Sequence, residues 1–275
     1  MKKLLLITNI FLLCSCNPTK TTESVTTPAA INGSAPYVWS GAAFPRNLKI
    51  SNDFSDAEVT AIQEMTSAWE TAVENKKNFF NDTERTTEIS SANLNLDSLG
   101  SDGILGIYKI TNWPMKLYSG ALAITQIFGV RYNVGKSNEY VSILHADILV
   151  NENLYNFRTD DAKNAYSFDF RTVILHEIGH FLGLPHKYGN TVMVPSITPS
   201  SNNRTPSSID RTDLAGKYSI TLGTGTNTAI ISGPRIQYAP NSGDTGQEVR
   251  ILIELKANGE CDHYENGIKQ GNHSL

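Results

Sequence analysis

A chain of 275 residues, 40% hydrophobic and 18% charged, is long and apolar enough to bury a core without covalent staples. Its formal net charge of −4, with no run of basic residues, argues against a nucleic-acid partner. Three cysteines are too few for a disulfide framework.

The chain opens with "MKKLLLITNIFLLCSC": two lysines, an apolar run from Leu4 to Leu13, then small or thiol residues. That order of charged, apolar and small residues is the pattern of a secretory signal. The run is too short for a permanent membrane-spanning helix. "LCSC", Leu13 to Cys16, resembles the lipobox of bacterial lipoproteins. The resemblance implies a signal over residues 1–16 and lipidation of Cys16. An ordinary cleaved signal is the alternative, and it would leave the protein secreted or periplasmic. A lipid on Cys16 would hold the protein on a membrane of the bacterial cell envelope without spanning it. Asn17 is not the aspartate that often retains lipoproteins at the inner membrane, so the resemblance favours the outer membrane. Cys261 then has no internal partner, and the fold is expected to stand without a disulfide.

Residues 17–35, rich in Thr, Pro, Ala and Ser, bury too little apolar surface to fold and read as a tether. "PRNLKIS" (Pro45 to Ser51) has the short alternation of a first strand. Ser55 and Glu58 form a capping-box signature, and Val59, Ile62, Met65, Trp69, Ala72 and Val73 follow at helical spacing. Three strands are expected over Asp102 to Ile110, Gly120 to Phe128 and Glu139 to Asn151. Ser167 is the expected cap of a second helix, with Asp169 in its first turn and Phe170, Val173, Ile174, Ile178 and Phe181 on its apolar face. "PSSIDRTDLAGKY" (Pro206 to Tyr218) reads as a short third helix. Strands and helices in this order predict a mixed α/β sheet backed by helices. Residues 221–275 change character, rich in Gly, Asn, Thr and Ser. Two apolar runs there, Ala229 to Ile231 and Val249 to Leu255, are candidates to pair as strands, but no motif reveals a role.

The second helix carries the chemistry. Within "ILHEIGHFLGLPH" (Ile174 to His186), His176 and His180 stand four residues apart. On a helix they differ by about 40° in azimuth and share a face. Gly183 can take the left-handed backbone that ends a helix, Pro185 opposes its continuation, and His186 is thereby turned back toward the first two. Three neutral imidazoles meeting at a point need a cation. Zinc would accept them at roughly 2.0–2.1 Å, with a fourth position left for water. A structural zinc would normally have four protein ligands, and only three have a defined spacing here. Glu177 is placed to take a proton from that water.

"HEIGHFLGLPH" matches the HExxHxxGxxH signature of metzincin metalloproteases, and "TVMVPS" supplies Met193 where that family has its Met-turn. With Pro195 two residues after that methionine, the chain looks most like the matrixin branch. "GALAIT" and "HADILVN" resemble, more weakly, the family's edge strand above the cleft and the strand before the active-site helix. The resemblance covers roughly residues 36–220. It implies a metzincin (zincin-like) fold: a twisted mixed sheet with an antiparallel edge strand, about three helices, and a Met-turn after the active-site helix.

It also implies His176, His180 and His186 as ligands of one catalytic Zn2+, and Glu177 as general base and acid. Met193 becomes the apolar floor, and Leu122 and Ala123 lie on the strand to which a peptide substrate adds. The implied activity is zinc-dependent endopeptidase hydrolysis by a monomer. A catalytically silent, membrane-tethered adhesion or assembly protein on the same fold is the rival, and a protease of another metzincin branch a nearer one.

No cysteine in residues 17–35 supports thiol latency, and no His- and Asp-rich loop for a second zinc is evident. His145 reads as a strand residue. Asp147, Asn151, Glu152, Asp160 and Asp161 offer oxygen ligands for Ca2+ without a regular spacing, so a solvated loop is preferred.

Overall fold

A computed structural model describes residues 35–94, 99–100, 102–113, 120–223, 238–257 and 260–274. The signal, Cys16, the tether and the run Ala229 to Ile231 lie outside these residues. Among the described residues no helix is long and apolar enough to cross a membrane.

In chain order the strands are β1 (Tyr37–Trp39), β2 (Arg46–Ser51), β3 (Phe80–Thr86), β4 (Gly106–Ile110), β5 (Ala121–Tyr132) and β6 (Tyr140–Asn151). A two-stranded pair, β7 (Phe157–Arg158) with β8 (Phe168–Asp169), and then β9 (Gln247–Lys256), β10 (Glu260–Glu265) and β11 (Ile268–Ser274) complete them. Among the described residues the α-helices are α1 (Asp56–Ala72), α2 (Phe170–Phe181) and α3 (Ser208–Lys217). The main sheet runs β11-β10-β9-β5-β6-β4-β2-β3, and β1 pairs with β6 beside β4. Strands on the β6-to-β3 side pair in parallel, and those from β6 to β11 pair antiparallel. The expected mixed α/β sheet is therefore present, with nine strands among the described residues against the four strands and two candidate runs legible in the sequence.

α1 starts where the capping box placed it. The Ser55 hydroxyl accepts from the Glu58 amide, and Glu58 Oε2 accepts from the Ser55 amide at 2.7 Å. Its apolar stripe, Ala61, Ile62, Met65 and Trp69, packs on one sheet face against Leu48, Ile50, Ile107 and Ile148. Each of the isoleucine, leucine and methionine side chains among these, when fully removed from water, contributes about 1.5–3 kcal/mol before entropy is charged against it. The opposite face buries Tyr108, Ile110, Ile124, Leu149 and Leu252 in a second cluster.

α2 starts later than the sequence suggested. Asp169, not Ser167, is the N-cap: its carboxylate accepts from the Thr172 amide at 3.0 Å and from Arg204 Nε at 3.0 Å. Residues Phe168 and Asp169 are still extended because they pair with Phe157 and Arg158, and the Ser167 hydroxyl is spent on Asn164 at 2.9 Å. Burial would raise the Asp169 carboxyl, but Arg204 and Thr172 outweigh it and hold it below the usual carboxylate range. The cap stays charged at neutral pH, at the positive end of the helix. From Thr172 to Phe181 every residue of α2 is buried, which a helix running through a core requires.

A correction concerns β5. Leu122 and Ala123 lie on it, but it is not an edge. β9 pairs with it antiparallel from Ala121↔Lys256 to Arg131↔Gln247, so the edges fall at β11 and β3. The alternation of β9 was visible as an apolar run. What it would pair with was not.

Candidate metal centre

The site is assembled by α2 and the turn that leaves it. His176 and His180 project from one face, as four-residue spacing dictates. The helix then closes on Gly183, at φ +86, with the Leu184 amide bonding the Gly179 carbonyl at 2.9 Å. Glycine is required there twice over: the backbone is left-handed, and a Cβ would lie 2.5 Å from the Tyr37 carbonyl oxygen. The reversed chain delivers His186. The Nε2 atoms of His176, His180 and His186 stand 2.9–3.1 Å from one another. These three residues are the one group of histidine, cysteine or carboxylate ligands among the described residues gathered closely enough to hold an ion.

The far sides of the rings decide what those nitrogens offer. His176 Nδ1 donates to the Val192 carbonyl at 2.8 Å, and His180 Nδ1 donates to the Leu184 carbonyl at 2.8 Å. Carbonyls accept only, so Nδ1 carries the proton in both rings, and Nε2 of the neutral ring is a lone pair. Burial pushes His176 down to about 4, and burial together with the neighbouring His176 pushes His180 well below its ordinary value. Both rings are thus neutral near pH 7. His186 reaches His263 of β10 through its Nδ1, at 2.9 Å from His263 Nε2. Lone pairs 2.9 Å apart repel, and the arrangement makes sense around a cation. A tetrahedral ion with bonds of about 2.0–2.1 Å needs donors about 3.3 Å apart, close to what the rings provide. The residues fit zinc.

Glu177 lies beside the triad. Thr125 Oγ1, from β5, sits 2.6 Å from its Oε2, and Oε1 is buried with no protein partner among the described residues. Burial pushes Glu177 up to about 8, and the Thr125 hydrogen bond opposes that rise. A cation held by the neighbouring histidines favours the carboxylate.

Met193 packs under the helix between His176 and His180. A Cβ added to Gly179 would meet Met193 Sδ at 2.3 Å and the Trp69 ring at 2.9 Å, so the small residue between Ile178 and His180 admits the floor. The segment carrying Met193 is held by α3. Asp210 accepts from the Val192 amide at 3.0 Å and from the Thr191 hydroxyl. Asp210 therefore fixes the carbonyl that orients His176, an outer hydrogen-bond support of the kind that sets ligand tautomers. Sequence reasoning missed Asp210, Thr125 and His263, because each joins the site only through tertiary contact.

The oxygen-bearing residues considered for calcium are not gathered. Asp147 accepts from the Gly106 amide at 2.9 Å and contacts His145 at 2.8 Å. Asn151 bonds the Ala121 carbonyl and the Leu154 amide, Glu152 lies 3.5 Å from Lys109, and Asp161 pairs with Arg204.

A mixed sheet over a buried helix that presents HExxH with a third histidine beyond a glycine turn defines a zinc-dependent metalloprotease. The sequence profile of the matrixin family matches residues 51–220, and the chain belongs to that family. No curated protein shows a significant match to the chain.

Proposed function

We propose that this chain is a zinc-dependent endopeptidase, with His176, His180 and His186 as the ligands and Glu177 as general base and acid. The observation that carries the proposal is the pair of fixed tautomers that point lone pairs of His176 and His180 at one spot beside a carboxylate. When bound there, zinc supplies a Lewis acid that acidifies water and polarises a carbonyl. Glu177 accepts the proton of the attacking water and passes it to the departing amine, for which its Oε1 is the available oxygen. Thr125 holds the other oxygen and so sets the angle at which the carboxylate works. Met193 and Trp69 wall the underside of α2 and keep the ligands in register. No covalent acyl-enzyme is needed.

On sequence grounds we further propose that residues 1–16 are a lipoprotein signal of a bacterial protein. Cys16 then carries a lipid anchor at the outer membrane, and residues 17–35 act as tether. The substrate would be a protein or peptide met at that surface by a monomer. The rival reading, a silent tethered protein, draws on the burial of Glu177.

Incubation of the chain with a mixed peptide library separates the two. Internal cleavage that disappears with a chelator and returns with zinc is expected. Chelator-insensitive or purely terminal cleavage contradicts the proposal. No cleavage, even after the β9–β10 hairpin is loosened, supports the rival.

A further inference from the structure

The groups that would do the chemistry are shut in. His176, Glu177 and His180 are 0% exposed and His186 is 2% exposed, so neither a peptide nor bulk solvent reaches them. The cover is local and identifiable. Thr125 of β5, Ile253 of β9 and His263 of β10 are cross-strand partners in one row. Thr125 contacts Glu177, His263 contacts His186, and Ile253, fully buried, lies between them in the row. Two of the three strands in that row come from beyond residue 220, where the family match ends.

β9 also binds as an extended peptide binds. One side of it follows β5 antiparallel along nearly its whole length. At its end the Ile197 amide donates to the Lys256 carbonyl at 3.1 Å, and the Lys256 amide donates to the Pro195 carbonyl at 3.4 Å. Ser196 and Lys256 form a parallel bridge there. Backbone on both sides thus grips Leu255 and Lys256, between β5 and the segment just after Met193. The Leu255 side chain fills an apolar pocket with Leu122, Ala123, Val173 and Ile197, next to α2.

We propose that β9 and β10 (Gln247–Lys256 and Glu260–Glu265) are an intramolecular occupant of the substrate slot, so that the chain is latent until this strand pair is displaced. This rests on the reading of the histidine cluster as a zinc centre. A peptide must lie beside Glu177 to be cut, and the strand edge that leads there is taken by the chain's own β9. Displacement unpairs β5, exposes Glu177 and opens the triad to solvent without moving α2.

The test uses the full zinc-loaded chain in two variants. Ile253→Asp puts a charge into the buried row and should loosen the hairpin. Val130→Cys with Glu248→Cys joins directly opposed residues of β5 and β9, outside the site, whose spacing suits a disulfide. Two quantities are read: the rate at which a chelator strips zinc, and the rate of cleavage of a quenched fluorescent peptide. Ile253→Asp should raise both at least about tenfold. Oxidising the cysteine pair should slow stripping at least about tenfold relative to its reduced form, and should silence cleavage when combined with Ile253→Asp.

Equal stripping rates for the oxidised and reduced pair overturn the proposal, whether or not Ile253→Asp folds. So does full cleavage by the oxidised form. If stripping responds as expected but no variant cleaves any peptide, the hairpin is a cover and the protease reading is what fails.

Discussion

Glu177→Gln is expected to leave zinc in place and remove peptide cleavage, by about 10²–10⁴-fold in kcat, the range that general acid–base catalysis supplies. The amide keeps the shape of the side chain and can still accept from the Thr125 hydroxyl, so the fold and the three imidazoles are undisturbed. What it cannot do is take a proton from water at neutral pH. KM should change little, because the loss falls on a step beyond binding. The comparison belongs in a background with the hairpin loosened, where the parent cleaves measurably. Kinetics alongside metal analysis decide it: near-parental kcat with zinc bound removes Glu177 from the proton-transfer role.

His180→Ala should have the opposite signature, with metal and activity lost together. His180 lies within 2.9 Å of His176 and 3.1 Å of His186 at Nε2, and its Nδ1 is locked on Leu184, so no neighbouring side chain can take its place without moving the turn. Zinc affinity should fall by more than the roughly 10–100-fold that follows loss of an outer hydrogen-bond partner. Because an ion that binds only the folded state stabilises it by mass action, added zinc should raise the unfolding temperature of the parent and not of the variant. An equal rise in both would place the metal elsewhere.

The residues that carry local physics were readable in advance. Ser55 and Glu58 announced α1, the 3.6-residue period filled its buried stripe, and the histidine spacing with Gly183 foretold a convergence that the backbone at φ +86 delivers. Apolar alternation placed β5 and β6. Elements without such a period escaped. β3 reads "FNDTERT" and β10 "ECDHYE", both too polar to stand out, and each is held as a strand by pairing, β3 with β2 and β10 with β9 and β11. The shift of the α2 cap from Ser167 to Asp169 has the same origin, since a pairing with Phe157 and Arg158 holds the chain extended two residues longer.

The largest gap lay at the site itself. Nothing in the spacing of residues 247–256 indicates that they return to β5, where they cover the free edge expected at Leu122 and Ala123. Asp210 falls inside the segment legible as a third helix, where it completes a capping box with Ser207, but nothing local marks it as the anchor of Val192. A residue that serves two elements at once shows only the local one in sequence.

Zinc K-edge X-ray absorption on the full zinc-loaded chain tests the metal centre most directly. Three imidazole nitrogens and one light, non-imidazole donor at about 2.0–2.1 Å, with one zinc per chain, are the expected result. A sulfur donor or a fourth imidazole completing the shell would leave no coordination site for water and would contradict the account, as would a chain that binds no zinc.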